Sequence, residues 1–147
     1  MVIKGTQLIE SKYERGSRQL LGEYLCRGES MLLYAPAGAG KSFTALMLSV
    51  ALTTGGDFYG WQVPEPKRVL YIEGNELGAL GVAQRIRAIY NNQGITEDEN
   101  FFLEAPHPSA DFIYDVTRED HQRLILDTIK LHKIDVVVYD NLSLIHI

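Results

Sequence analysis

Ala35-Pro36-Ala37-Gly38-Ala39-Gly40-Lys41-Ser42 restricts the folds open to this chain more than any other segment. Gly38 and Gly40 let the backbone curl so that successive N–H groups face one anion. A helix opening at Lys41 aims the positive end of its dipole at the same point. Lys41 adds a point charge suited to the β- and γ-phosphates of a nucleoside triphosphate, and the Ser42 hydroxyl suits Mg²⁺. The eight residues fit the phosphate-binding loop (P-loop) pattern, with Ala35 where a first glycine is commonest. That first site need not touch phosphate, so ATP with Mg²⁺ is the expected ligand. The competing reading is a Gly-rich turn that binds nothing. Context decides, because the mechanism needs a strand before the loop and a helix after it.

The flanking sequence offers both. Met31-Leu32-Leu33-Tyr34 is a continuous apolar run ending at the loop, the pattern of a buried strand. Lys41 to Leu52 is apolar on nearly every side and predicts a core helix, stopped by Thr53-Thr54-Gly55-Gly56. The alternation then continues. Val69-Leu70-Tyr71-Ile72 predicts a second strand, and Leu80, Ala83, Ile86 and Ile89-Tyr90 recur at helical spacing before Asn91-Asn92-Gln93-Gly94. Phe101-Phe102-Leu103 predicts a third strand. Thr117, with Asp120 three residues on, predicts an N-cap for a helix through Leu124, Ile125, Ile129 and Leu131. Lys130, His132 and Lys133 suit the negative end of its dipole. Ile134 to Tyr139 is the fourth strand. The fold class is α/β, a mainly parallel sheet with flanking helices. Residues 1–16 read as a lead-in arm, residues 17–147 as the domain, and Glu104 to Val116 as an irregular loop.

Ile134-Asp135-Val136-Val137-Val138-Tyr139-Asp140 has the form of a Walker B element, an apolar strand ending in a carboxylate. A parallel sheet delivers Asp140 to its carboxyl edge, where such folds place their ligands and where the side chain can hold Mg²⁺ through water. An aspartate that starts the next turn is the bland alternative. Asp135 belongs at the opposite edge, in solvent. Hydrolysis also needs a group to orient or deprotonate water, and Glu73 and Glu76 stand just past the second strand. Either could instead stabilise the N-terminus of the next helix.

Several function classes are disfavoured. A net charge of −5 argues against a free-standing nucleic-acid binder. Cys26 is the one cysteine, so no internal disulfide forms, and a reducing cytoplasm fits. No apolar run approaches the ~20 residues of a membrane span, and the start lacks a signal-peptide core. The four histidines show no ligand spacing. Trp61 reads as a loop residue covering a sheet edge or subunit contact, and Arg85 and Arg87 as solvated positions.

With these residues in hand, the chain resembles RecA-like ATPases, and among them RepA-type hexameric replicative helicases of plasmids, phages and mobile elements. The likeness spans roughly Arg27 to Ser143 and rests on LLYAPAGAGKS, GWQVPEPKRVLYIEG and IDVVVYDNLS. The resemblance implies a glutamate that activates water in an acidic-Gly-Glu triplet after the second strand. Here the segment reads Glu73-Gly74-Asn75-Glu76, one residue longer. Taking Asn75 as the insertion puts Glu76 at the family's distance from Arg85, which makes Glu76 the catalytic candidate and Glu73 the reserve. The resemblance further implies a hexameric homo-oligomer acting on single-stranded DNA, through loops and an arginine that lie beyond the Walker B strand. The chain is expected to be the N-terminal part of a longer protein and inactive alone. Its last five residues, 143–147, resemble translated sequencing-adapter tails. In related folds the strand after Walker B lies between the P-loop strand and the Walker B strand, so its absence would leave a gap or force the two together. A KaiC-like regulatory ATPase, and a non-hydrolysing switch or scaffold, are the rival expectations.

Overall fold

The computed structural model describes Lys4, Thr6 and residues 18–74, 77–105 and 115–140. Most of the lead-in arm, Asn75 and Glu76, residues 106–114 and residues 141–147 lie outside them. In chain order the elements are β1 (Gln19–Leu21), β2 (Leu25–Cys26), α1 (Lys41–Thr54), β3 (Asp57–Phe58), β4 (Trp61–Gln62) and β5 (Val69–Glu73). There follow α2 (Gly78–Gln93), β6 (Phe101–Glu104), α3 (Glu119–His132) and β7 (Val136–Asp140).

β5 is buried at all its positions, as its unbroken apolar run requires. It pairs in parallel with β6 on one side and β7 on the other, giving the order β6-β5-β7. The period of two divides its side chains between two helical layers. Tyr71 packs with Leu46 and Val50 of α1 and with Val82, Ile86 and Ile89 of α2. Leu70 and Ile72 face Ile125 and Ile129 of α3 across the other side. The result is a three-layer α/β arrangement.

α1 stops where Gly55 adopts φ 70° and donates its N–H to the Ala51 carbonyl. Its last turn is tied to the amino edge of the sheet. The Lys67 N–H donates to Leu52 O at 2.8 Å, and Asn100 Nδ2 donates to Thr53 O at 3.0 Å. Asp98 gathers this corner, accepting from Thr53 Oγ1 (2.6 Å), the Tyr90 hydroxyl (2.8 Å) and the Asn100 N–H (3.0 Å). Burial, and then the bond to Asp98, push the Tyr90 phenol well above its ordinary pKa. Asp98→Ala strips three donors of their partner and should lower stability by on the order of 3 kcal/mol. Urea unfolding reads this, and an unmoved midpoint would refute the role given to Asp98.

The structure departs from expectation at four places. Met31–Tyr34 forms no strand, and Leu32 and Tyr34 are 75% and 88% exposed. The segment is apolar enough, but a strand exists only against a partner, and among the described residues none lies beside it or on the outer edge of β7. Direct pairing of this segment with β7 is not seen among the described residues. Second, α3 is capped by Arg118 rather than Thr117. The Thr117 hydroxyl donates to Asp115 Oδ1 at 2.6 Å, and no side chain caps the helix. Only Ile125 and Ile129 of the expected apolar set face the sheet, while Leu124 and Leu131 are exposed. Third, Asp135 is not simply solvated. Its Oδ1 meets Arg27 Nη2 at 2.9 Å and its Oδ2 accepts the Arg68 N–H at 3.1 Å.

The fourth departure is a pair of two-stranded hairpins, β1-β2 and β3-β4. β3 and β4 turn on Tyr59 and Gly60 with φ 50° and 89°, the backbone of a type I′ turn. Trp61 covers this surface, stacked on Tyr24 with ring centroids 4.4 Å apart. His121, buried at 4% exposure, accepts the Asp115 N–H through Nδ1, as a packing histidine does.

Candidate functional site

Residues 36–40 of the Gly-rich loop are exposed, and the chain passes through them into α1 without a side-chain cap. Gly38 and Gly40 adopt φ 77° and 89°, the left-handed region that a curled loop needs and that L side chains resist. The Ala39 N–H closes the turn on Pro36 O at 3.2 Å, and the Thr44 N–H begins the helical ladder on Gly40 O at 2.9 Å. No acidic residue stands in the first turn of α1 to neutralise its positive end. Lys41 folds over the loop and donates Nζ to Pro36 O at 3.1 Å. A bare helix start with a lysine laid across it is suited to a polyanion.

Packing decides where this helix start lies. Leu48, Ala51 and Leu52 meet Val69 and Val136, which open β5 and β7, while Leu46 and Val50 meet Tyr71 and Val138 further along. α1 therefore runs antiparallel to the strands. From Leu52 back to Lys41 the helix climbs ~16 Å, and from Val69 to Glu73 the strand climbs ~13 Å. Lys41 and Ser42 are thus carried to the carboxyl edge of the sheet, the edge at which β5 and β7 end.

Glu73 and Asp140 are register partners at that edge. Register partners in a parallel ladder share a face, and the residues two before them, Tyr71 and Val138, pack against α1. Both carboxylates therefore belong to the layer of the loop. Asp140 Oδ2 accepts the Tyr71 hydroxyl at 2.5 Å. Burial, then this bond and the Asp140 charge, push the Tyr71 phenol far above its ordinary pKa. Glu73 pushes the same way, and the Arg85 charge opposes it.

Glu73 is 1% exposed, and its Oε1 accepts the Leu77 N–H at 2.8 Å, just where α2 begins. This is the geometry of a carboxylate that organises a helix start. Glu76 lies outside the described residues. Sequence reasoning passed over Tyr71, although a lone tyrosine in an apolar strand, on the same face as a terminal acid, is a legible signal.

The donor chemistry fits a magnesium–nucleotide site. Ser42 and Asp140 offer oxygen donors, and Mg²⁺ in nucleotide sites takes one or two protein oxygens, water and substrate phosphates. Among the described residues no group of three or more His, Cys, Asp and Glu gathers into an all-protein cage. No helix among them is long and apolar enough to cross a membrane.

A family model described as AAA domain matches residues 8–147. No curated protein and no solved structure matches the chain at a significant level. The matched stretch takes in the loop, the helix it opens and both strand-end carboxylates. The chain belongs to the AAA-domain family of P-loop ATPases.

Proposed function

We propose that this chain is the ATP- and Mg²⁺-binding core of an ATP-driven replicative DNA helicase of the RepA type. The observation that carries the nucleotide reading is the convergence at one sheet edge of the uncapped start of α1 and the Asp140 carboxylate. The loop amides and Lys41 hold the phosphates, and Ser42 and Asp140 hold Mg²⁺. Mg²⁺ when bound neutralises charge developing on the transferred phosphoryl group. Glu76 is assigned to the attacking water, and Glu73 to the start of α2. The helicase reading rests on the resemblance of GWQVPEPKRVLYIEG and of its spacing from the loop and from Asp140.

In this reading the intact protein assembles as a hexameric ring in the cytoplasm and moves along single-stranded DNA. The test is turnover of the intact protein with and without single-stranded DNA, together with strand displacement on a forked duplex. The helicase predicts DNA-stimulated turnover and ATP-dependent unwinding. ATP hydrolysis indifferent to DNA would replace it with a regulatory ATPase.

A further inference from the structure

We propose that Tyr71 is a positioning residue for Asp140, holding one carboxylate oxygen so that the other is presented to metal-bound water. The inference deepens the magnesium reading above and rests on it.

Tyr71 sits in the central strand with no exposed surface. Its ring is enclosed by Leu46, Val50, Val82, Ile86 and Ile89, and it lies tilted against Phe101 with centroids 6.1 Å apart. A ring packed this way has no alternative rotamer to swing into, so its hydroxyl is a fixed donor. For packing alone a phenylalanine would serve, since a hydroxyl carried into a core costs free energy unless it is bonded. The partner found is the terminal acid of the neighbouring strand, 69 residues on, at 2.5 Å.

The geometry suits a carboxylate that must wait for a metal in one orientation. Asp140 ends β7, which pairs with β5 alone among the described residues and is nowhere fully buried, so burial does not fix its side chain. The phenol does fix it. It takes Oδ2, and among the described residues no hydrogen bond occupies Oδ1. Partners one step removed from a metal commonly govern affinity in this way, and their loss costs ~10–100-fold.

The experiment is Mg²⁺ titration of the intact protein at fixed fluorescent ATP analogue, comparing wild type, Tyr71→Phe and Asp140→Asn. Affinity for the analogue in EDTA and the melting temperature are followed alongside. Tyr71→Phe should weaken apparent Mg²⁺ affinity ~10-fold, with metal-free nucleotide affinity unchanged and melting lowered by no more than the several degrees of one lost hydrogen bond. In the Asp140→Asn background the same substitution should add nothing further. Unchanged Mg²⁺ affinity in Tyr71→Phe, with Asp140→Asn impaired, overturns the proposal and leaves the magnesium reading standing. An unimpaired Asp140→Asn removes the magnesium reading and this proposal with it. A Tyr71→Phe protein that unfolds, or loses metal-free nucleotide affinity, also overturns the proposal, because the hydroxyl then serves the fold.

Discussion

Lys41→Ala should raise the dissociation constant for a triphosphate by ~10–100-fold, the scale of a lost hydrogen bond to a charged group. The side chain is partly exposed at the first position of α1, and it donates to the loop's own Pro36 carbonyl. Alanine is the best helix former and replaces nothing in the core. The fold should therefore survive, and the loss falls on the anion alone. Phosphate oxygens then keep the amides of the curled loop and lose the cation laid across it. Titration with a fluorescent ATP analogue measures the change, with melting temperature as the control. Unaltered affinity would sink the phosphate-loop assignment.

Glu76→Gln in the intact protein should leave ATP affinity nearly intact and cut turnover at least ~100-fold, a usual scale for the loss of a general base. The amide keeps the size and polarity of the side chain but cannot take a proton from water. Glu73→Gln is the informative companion. Glu73 is buried and engaged with the Leu77 amide. Its amide variant should therefore shift the melting temperature while turnover stays within a few-fold. Single-turnover hydrolysis separates chemistry from nucleotide binding in both variants. If the two outcomes are exchanged, the insertion lies elsewhere than Asn75 and Glu73 handles the water. If neither variant slows turnover, the catalytic assignment falls and the switch reading gains.

What could be read from the chain follows from what each kind of pattern measures. Val69–Ile72 and Val136–Tyr139 are continuous apolar runs, and both form strands, because each finds a neighbour to pair with. Met31–Tyr34 carries the same signal and forms none. An apolar run reports what a segment would bury, not whether a partner is present to bury it. The hairpins escaped for a different reason, since strands of two or three residues are too short to display a period. Their turn also uses Tyr59 at positive φ, where asparagine or glycine would have advertised it. At the site, Gly38, Gly40, Lys41 and Ser42 were legible because the chemistry is local and contiguous. The Tyr71–Asp140 and Thr53–Asp98 bonds join residues far apart in the chain and leave no mark on local composition.

The loop glycines carry one more consequence. A Cβ built at Gly38 or Gly40 meets no atom within 4 Å, so what these two sites exclude in the described structure is handedness rather than bulk. At φ 77° and 89° an L-alanine is strained by ~1–2 kcal/mol, whereas its mirror image is at home there. A D-alanine installed at position 40 by peptide ligation should therefore keep the curl that L-alanine breaks. At these two positions glycine is needed for the hand of the backbone and not for the room that an L side chain would take.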